Sequence, residues 1–159
     1  MSDQLSSSSN ASLSPNLISI VLVEDNPADA ELTIRALRRG KINNPIHHLK
    51  DGVEALDFLF SEGAYSDRPI DSSPKVILLD LKLPKVSGLE VLRRLKSDPQ
   101  TQTIPVVVLT SSGEDRDLIN SYALGINSYI VKPVDFEQFS EAVQQIGLYW
   151  VLLNQTLEG

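Results

Sequence analysis

The run Ile18-Ser19-Ile20-Val21-Leu22-Val23, followed at once by Glu24-Asp25-Asn26-Pro27, decides how the rest of the chain is read. A short β-branched and leucine run without polar alternation predicts a strand buried on both faces, as in parallel sheets covered by helices. Asn26-Pro27 then supplies a cap and a first-turn proline for a helix that carries Ile34 and Leu37 and stops at Gly40. The same alternation continues outward. A short strand at Ile46 to Leu49 precedes a helix expected to turn Val53, Leu56, Leu59 and Phe60 to one face. Val76 to Leu79 is a second buried strand, Leu89 to Lys96 a helix, and Ile104 to Leu109 another buried strand. Asp115 to Leu124 reads as a helix, Ser128 to Val131 as a short strand, and Asp135 opens the last helix. Five β/α units in strict alternation predict an α/β fold, a (βα)5 doubly wound parallel sheet with right-handed crossovers.

With 159 residues the chain has room for one domain. Met1 to Asn16 contains seven serines and little to bury, so 1–16 is expected to be a disordered Ser-rich arm. The domain is expected over 17–146, with 147–159 a C-terminal extension of the last helix. The one long irregular stretch, Ser61 to Pro74, exceeds a tight connection. The 14 basic and 21 acidic side chains give a net charge of −7, a field that repels phosphate backbones and argues against nucleic acid as a partner. The absence of cysteine excludes disulfides, thiolate nucleophiles and zinc ribbons. No apolar run reaches the roughly 18 residues of a membrane span, and the N-terminus lacks a signal pattern, so a cytoplasmic protein is expected.

In open parallel sheets ligands bind beyond the carboxyl ends of the strands, where strand order reverses. Glu24-Asp25, Asp80, Thr110-Ser111 and Lys132-Pro133 stand at those ends. In a flavodoxin-like order, 2-1-3-4-5, Glu24, Asp25 and Asp80 converge, and three crowded carboxylates call for a cation. Oxygen ligands without histidine or cysteine suit Mg²⁺. Such a site is equipped for phosphoryl transfer, with Asp80 as nucleophile, Lys132 on a phosphoryl oxygen and the Thr110 hydroxyl on another.

Val23-Glu24-Asp25-Asn26, Leu79-Asp80-Leu81-Lys82-Leu83-Pro84 with Gly88, Leu109-Thr110-Ser111 and Tyr129-Ile130-Val131-Lys132-Pro133 together resemble the receiver domain of two-component response regulators. The resemblance implies a phosphoacceptor signalling protein that assists its own phosphorylation and dephosphorylation, without being a metabolic enzyme. It implies that Asp80 accepts phosphate from a sensor histidine kinase and that Glu24, Asp25 and Asp80, with the main-chain carbonyl of Lys82, hold Mg²⁺. It further implies that Lys132 contacts the phosphoryl group, that Thr110 and Tyr129 form the switch, and that Lys132-Pro133 is a cis peptide. Phe58-Leu59 through Gly63-Ala64-Tyr65 to Arg68-Pro69 is similar to the single-domain response regulators of cyanobacterial phytochromes, which implies a phytochrome-type kinase and no DNA-binding output domain.

Two other functions fit the same residues less well. A haloacid-dehalogenase-type phosphohydrolase needs a general-acid aspartate two residues after the nucleophile, and Lys82 stands there. A flavodoxin-like ligand-binding module needs a phosphate loop after strand one, where Glu24-Asp25 repels such a ligand. His47 and His48, adjacent on a strand, face opposite sides and form no pair. In the last helix, Phe136, Phe139, Val143, Ile146, Trp150, Leu153 and Leu157 recur at gaps of three and four, a heptad stripe widened by Tyr149. It predicts a homodimer through Tyr149, Trp150 and Leu153 beside the fourth helix and fifth strand.

Overall fold

Helix and strand alternate along the chain in the computed structural model, which describes residues 20–67, 74–111 and 128–145. The elements are β1 (Ile20–Val23), α1 (Pro27–Arg39), β2 (Ile46–Leu49), α2 (Gly52–Leu59), a 3-10 turn (Gly63–Tyr65), β3 (Val76–Asp80), α3 (Gly88–Ser97), β4 (Val106–Thr110), β5 (Ser128–Val131) and α4 (Phe136–Gln145). The strands form one parallel sheet in the order β2-β1-β3-β4-β5, the flavodoxin-like order 2-1-3-4-5. β1 is therefore an interior strand, flanked by β2 and β3, and the strand order reverses between β1 and β3.

Alternation along each strand builds two apolar layers from one sheet. Val21, Val23, Ile77, Leu79, Val106 and Val108 belong to one layer with Ala55, Phe58, Leu59, Val91, Leu92 and Leu95 of α2 and α3. Ile20, Leu22, Val76, Leu78, Val107 and Leu109 belong to the other, with Ala30 and Leu37 of α1 and Phe139, Ala142 and Val143 of α4. Each Val, Leu, Ile or Phe side chain among them, fully buried, contributes about 1.5–3 kcal/mol. The layers hold the strands so rigidly in register that the residues at their carboxyl ends have fixed places. Asp80 stands opposite Leu109, and Thr110 opposite Val131.

All four described helices begin on side-chain caps that take up otherwise unpaired N–H groups, Asp135 accepting from the Gln138 amide at the start of α4. The Asn26 side chain accepts from the amides of Ala28 and Asp29, that of Asp51 from Glu54 and that of Ser87 from Glu90. Two glycines mark seams with no room for a side chain. A Cβ on Gly88 would lie 2.3 Å from the Asp80 carbonyl oxygen, and one on Gly40 would lie 1.9 Å from the Phe136 ring. The first lets α3 start directly beneath the end of β3; the second presses the end of α1 onto the start of α4.

The buried face of α2 differs from expectation. Val53 is 41% exposed, while Ala55, Leu56, Phe58 and Leu59 are buried and Phe60 only partly so. Gly52 causes the difference: its amide donates to the Pro84 carbonyl at 3.4 Å, and a Cβ there would meet the Val86 carbonyl oxygen at 2.0 Å. Seated on the loop after β3 by that glycine, the helix turns Val53 to solvent. Within the irregular stretch 61–74, residues 63–65 form the 3-10 turn. The Tyr65 ring meets Phe58 edge-on at 5.1 Å, and its hydroxyl donates to Glu54 Oε2 at 3.0 Å. The expected arm 1–16, the helix Asp115–Leu124 and the extension 147–159 with Tyr149, Trp150 and Leu153 lie outside the described residues.

Candidate functional site

β1 and β3 run parallel and in register, so the residues that follow them arrive side by side. Glu24 and Asp80 are buried, and Asp25 is exposed. Carboxylate oxygens of the three lie within 4.8 Å of one another, the one group of metal-ligating side chains found among the described residues. The backbone explains the placement. Glu24 continues the ladder by donating its amide to the Leu49 carbonyl at 3.0 Å, and its Oε2 accepts from the Asn26 amide at 3.1 Å. Its own carbonyl accepts from His48 Nε2 at 2.7 Å, which assigns the proton to that nitrogen. Asp80 Oδ1 accepts from the Lys82 amide at 2.9 Å. The Lys82 side chain is exposed.

Lys132 reaches this cluster from the far edge of the sheet. Its amide donates to the Thr110 carbonyl at 2.8 Å, extending the β4–β5 ladder, and the peptide bond to Pro133 is cis. Its ammonium donates to Glu24 Oε1 at 2.8 Å, Asp80 Oδ2 at 2.8 Å and Asp29 Oδ2 at 3.1 Å. All three N–H donors of the lysine are thereby used. Thr110 is buried at the end of β4, and Tyr129 on β5 is 37% exposed.

Burial is the largest influence on Glu24 and pushes its carboxyl up to about 7. The nearby Asp80 carboxylate pushes the same way, and hydrogen bonds from Lys132 and the Asn26 amide only partly offset both. Burial also opposes the charge of Lys132, but its hydrogen bonds to Asp80 and Glu24 outweigh that, and its ammonium is held above the ordinary lysine range. The cluster is thus short of positive charge, with a single ammonium serving Glu24, Asp80 and Asp29 while Asp25 stands beside them. A carboxylate group of that kind accommodates a hard divalent cation.

The sequence placed Glu24, Asp25, Asp80, Thr110 and Lys132 at adjoining strand ends, and the fold brings the three acids and the lysine together. Two residues were not anticipated. Asp29 looks in the sequence like an ordinary acid in a first helical turn, where it complements the helix dipole, and only its position one turn along α1 aims it at Lys132. His48 reads in the sequence as an edge or surface residue, yet it holds the Glu24 carbonyl.

Residues 20–144 match the family model described as the response regulator receiver domain. Among curated proteins, the chain is 44% identical over 138 residues to the probable methanogenesis regulatory protein FilR2 of Methanothrix harundinacea, covering 86% of each. Among solved structures it resembles the bacteriophytochrome response regulator AtBRR, at 53% identity and a TM-score of 0.81, covering 87% of this chain and 98% of that one. It also resembles the Mn²⁺-bound form of response regulator Rcp1, at 41% identity and a TM-score of 0.66, covering 83% and 93%.

Proposed function

The chain belongs to the response regulator receiver family of phosphoacceptor signalling proteins, and from that premise we propose that Asp80 accepts a phosphoryl group from a sensor histidine kinase of the phytochrome type. The observation that carries this reading is the buried Asp80 carboxylate, held by the Lys82 amide on one oxygen and by Lys132 on the other. A carboxylate oxygen of Asp80 attacks phosphorus and forms an acyl phosphate, while the P–N bond to the donor imidazole breaks and its electron pair stays on the imidazole nitrogen. Lys132 turns its ammonium to a phosphoryl oxygen, and the Thr110 hydroxyl donates to another. The kinase assignment is supported by the similarity to the bacteriophytochrome response regulator AtBRR.

The acidic cluster fits a divalent cation by two features: three carboxylates within ligand reach, and a buried Glu24 whose charge the surrounding groups leave under-compensated. Glu24, Asp25 and Asp80 would hold Mg²⁺ together with the main-chain carbonyl of Lys82. When bound, the cation supplies neutralisation of charge on the carboxylates and the phosphoryl oxygens. Phosphorylation replaces one carboxylate charge with about two on the phosphoryl oxygens, so the site gains about one negative charge. Thr110 moving inward answers that charge, and Tyr129 follows into the space. The output is a shift in population between two packed states, read by a protein partner.

No helix among the described residues is long and apolar enough to cross a membrane. We place the protein in the cytoplasm, without a nucleic-acid partner, as a homodimer through Tyr149, Trp150 and Leu153. Truncation after Gly147 then gives a monomer in sedimentation; a full-length monomer at tens of micromolar, with or without phosphorylation, would refute the dimer. For the transfer itself, the wild type incubated with phytochrome-type kinases and labelled ATP takes up acid-stable, base-labile phosphate. Label retained in Asp80→Asn would overturn the assignment.

A further inference from the structure

We propose that Asp29 is a positioning residue for phosphoryl transfer: by holding the Lys132 ammonium on the α1 side of the site, it restrains Lys132 from the phosphoryl group and slows phosphorylation. The inference rests on the reading above, in which Lys132 serves the phosphoryl group on Asp80.

Three observations meet at this residue. Lys132 Nζ has three donors, and all are engaged, one by Asp29 Oδ2 at 3.1 Å. To reach a phosphoryl oxygen it must surrender a partner. The Glu24 side chain is completely buried and that of Asp80 only 6% exposed, so stripping either of the ammonium leaves an uncompensated charge away from water. The Asp29 side chain is 40% exposed and returns to solvent at little cost, so the bond to Asp29 is the one that can open. Its place is also fixed. The Asn26 side chain caps α1 by accepting from the Asp29 amide at 3.0 Å, and Pro27 sets the first turn, so the carboxylate stands one helical turn from the acids that flank β1. Asp29 lies outside the metal-ligating cluster of Glu24, Asp25 and Asp80. It therefore adds negative charge that no ligand role requires. That charge both competes for the lysine and repels an anionic phosphodonor.

Removing it acts in one direction on both counts. Asp29→Asn is expected to bind beryllofluoride with Mg²⁺ about two- to fivefold tighter in calorimetry, and to be labelled by acetyl phosphate faster by a similar factor, as loss of one half-exposed ion pair allows. Asp29→Glu, which keeps the charge, is expected to return towards wild type. In a Lys132→Ala background the gain from Asp29→Asn should vanish, since the lysine it acts through is gone. Equal affinities for wild type and Asp29→Asn would overturn the proposal. An undiminished gain in the Lys132→Ala background would show a bare charge effect and overturn the positioning role. If wild type itself neither binds beryllofluoride nor is labelled on Asp80, the failure lies with the phosphoacceptor reading.

Discussion

The two apolar layers and the charged carboxyl end of the sheet are made by the same strands, yet they obey opposite rules. In the layers, Leu22, Leu78 and Leu109 are completely buried among other hydrocarbons, and every atom removed from water adds to stability. At the strand ends, one or two residues further on, Glu24, Asp80 and Thr110 are buried as well. There burial costs stability, because ionised groups lose water and recover only part of that loss from one lysine. Geometry passes from the first region to the second, since register in the core sets where the acids lie. The energy that holds the acids together is supplied by the hydrocarbon beside them.

Asp80 is where charge and fold separate most clearly. Asp80→Asn keeps the side chain's volume and removes one of the clustered charges, so phosphate incorporation should be lost completely while thermal stability is equal to or above that of the wild type. A melting temperature several degrees lower would show that the carboxylate itself holds the fold together. The converse change is Leu78→Ala in the layer shared by α1 and α4. It should cost about 2–5 kcal/mol in urea denaturation, while the fraction that remains folded is still phosphorylated at the wild-type rate.

Protons sharpen the contrast further. Glu24 titrates near 4.5 in its ordinary state and near 7 when folded, so between those values the folded chain binds more protons than the unfolded one. The metal-free protein should therefore lose stability as pH rises from 4.5 towards 7, by up to about 1.4 kcal/mol per pH unit from this group alone. Glu24→Gln should flatten that slope. For the same reason Mg²⁺ affinity should climb towards pH 7 and level off above it, and an affinity flat from pH 5.5 to 8 in titration calorimetry would exclude Glu24 from the metal site. Lys132→Ala is expected to keep Mg²⁺ binding but to blunt the structural response to phosphorylation; a large loss of metal affinity would mean the lysine and the metal are not separate elements. The smallest effect belongs to Tyr65→Phe, which removes only the hydrogen bond to Glu54 and should cost about 0.5–1.5 kcal/mol, measurable as a small shift in urea midpoint with phosphorylation untouched.

Sequence carried most of this because the buried strands announce themselves as unbroken apolar runs, and the residues after such runs land at the ligand-binding end by topology. β3 extends to Asp80 and β4 to Thr110, so both lie inside strands that the apolar pattern ends one residue earlier. Periodicity failed at Val53 because the orientation of α2 is decided by the contact of Gly52 with the loop after β3, a tertiary contact that no local spacing encodes. Asp29 stayed hidden for a related reason. Its local role as an acid in a first helical turn is complete without Lys132, which arrives from the opposite end of the chain.

The seam between Gly40 and Phe136 has a consequence for the making of the molecule. With the ring seated where a side chain would otherwise project, the inner face of α1 receives part of its cover from α4, translated long after it. β1 likewise waits for β3 before it is flanked on both sides. A ribosome synthesising this chain therefore exposes a half-paired β1 until β3 has emerged and part of an apolar helix face until α4 has, and such unpaired surface is what molecular chaperones bind. Truncated translation products should be held by chaperones or degraded, and the fold should appear in a single late step as Phe136 leaves the exit tunnel.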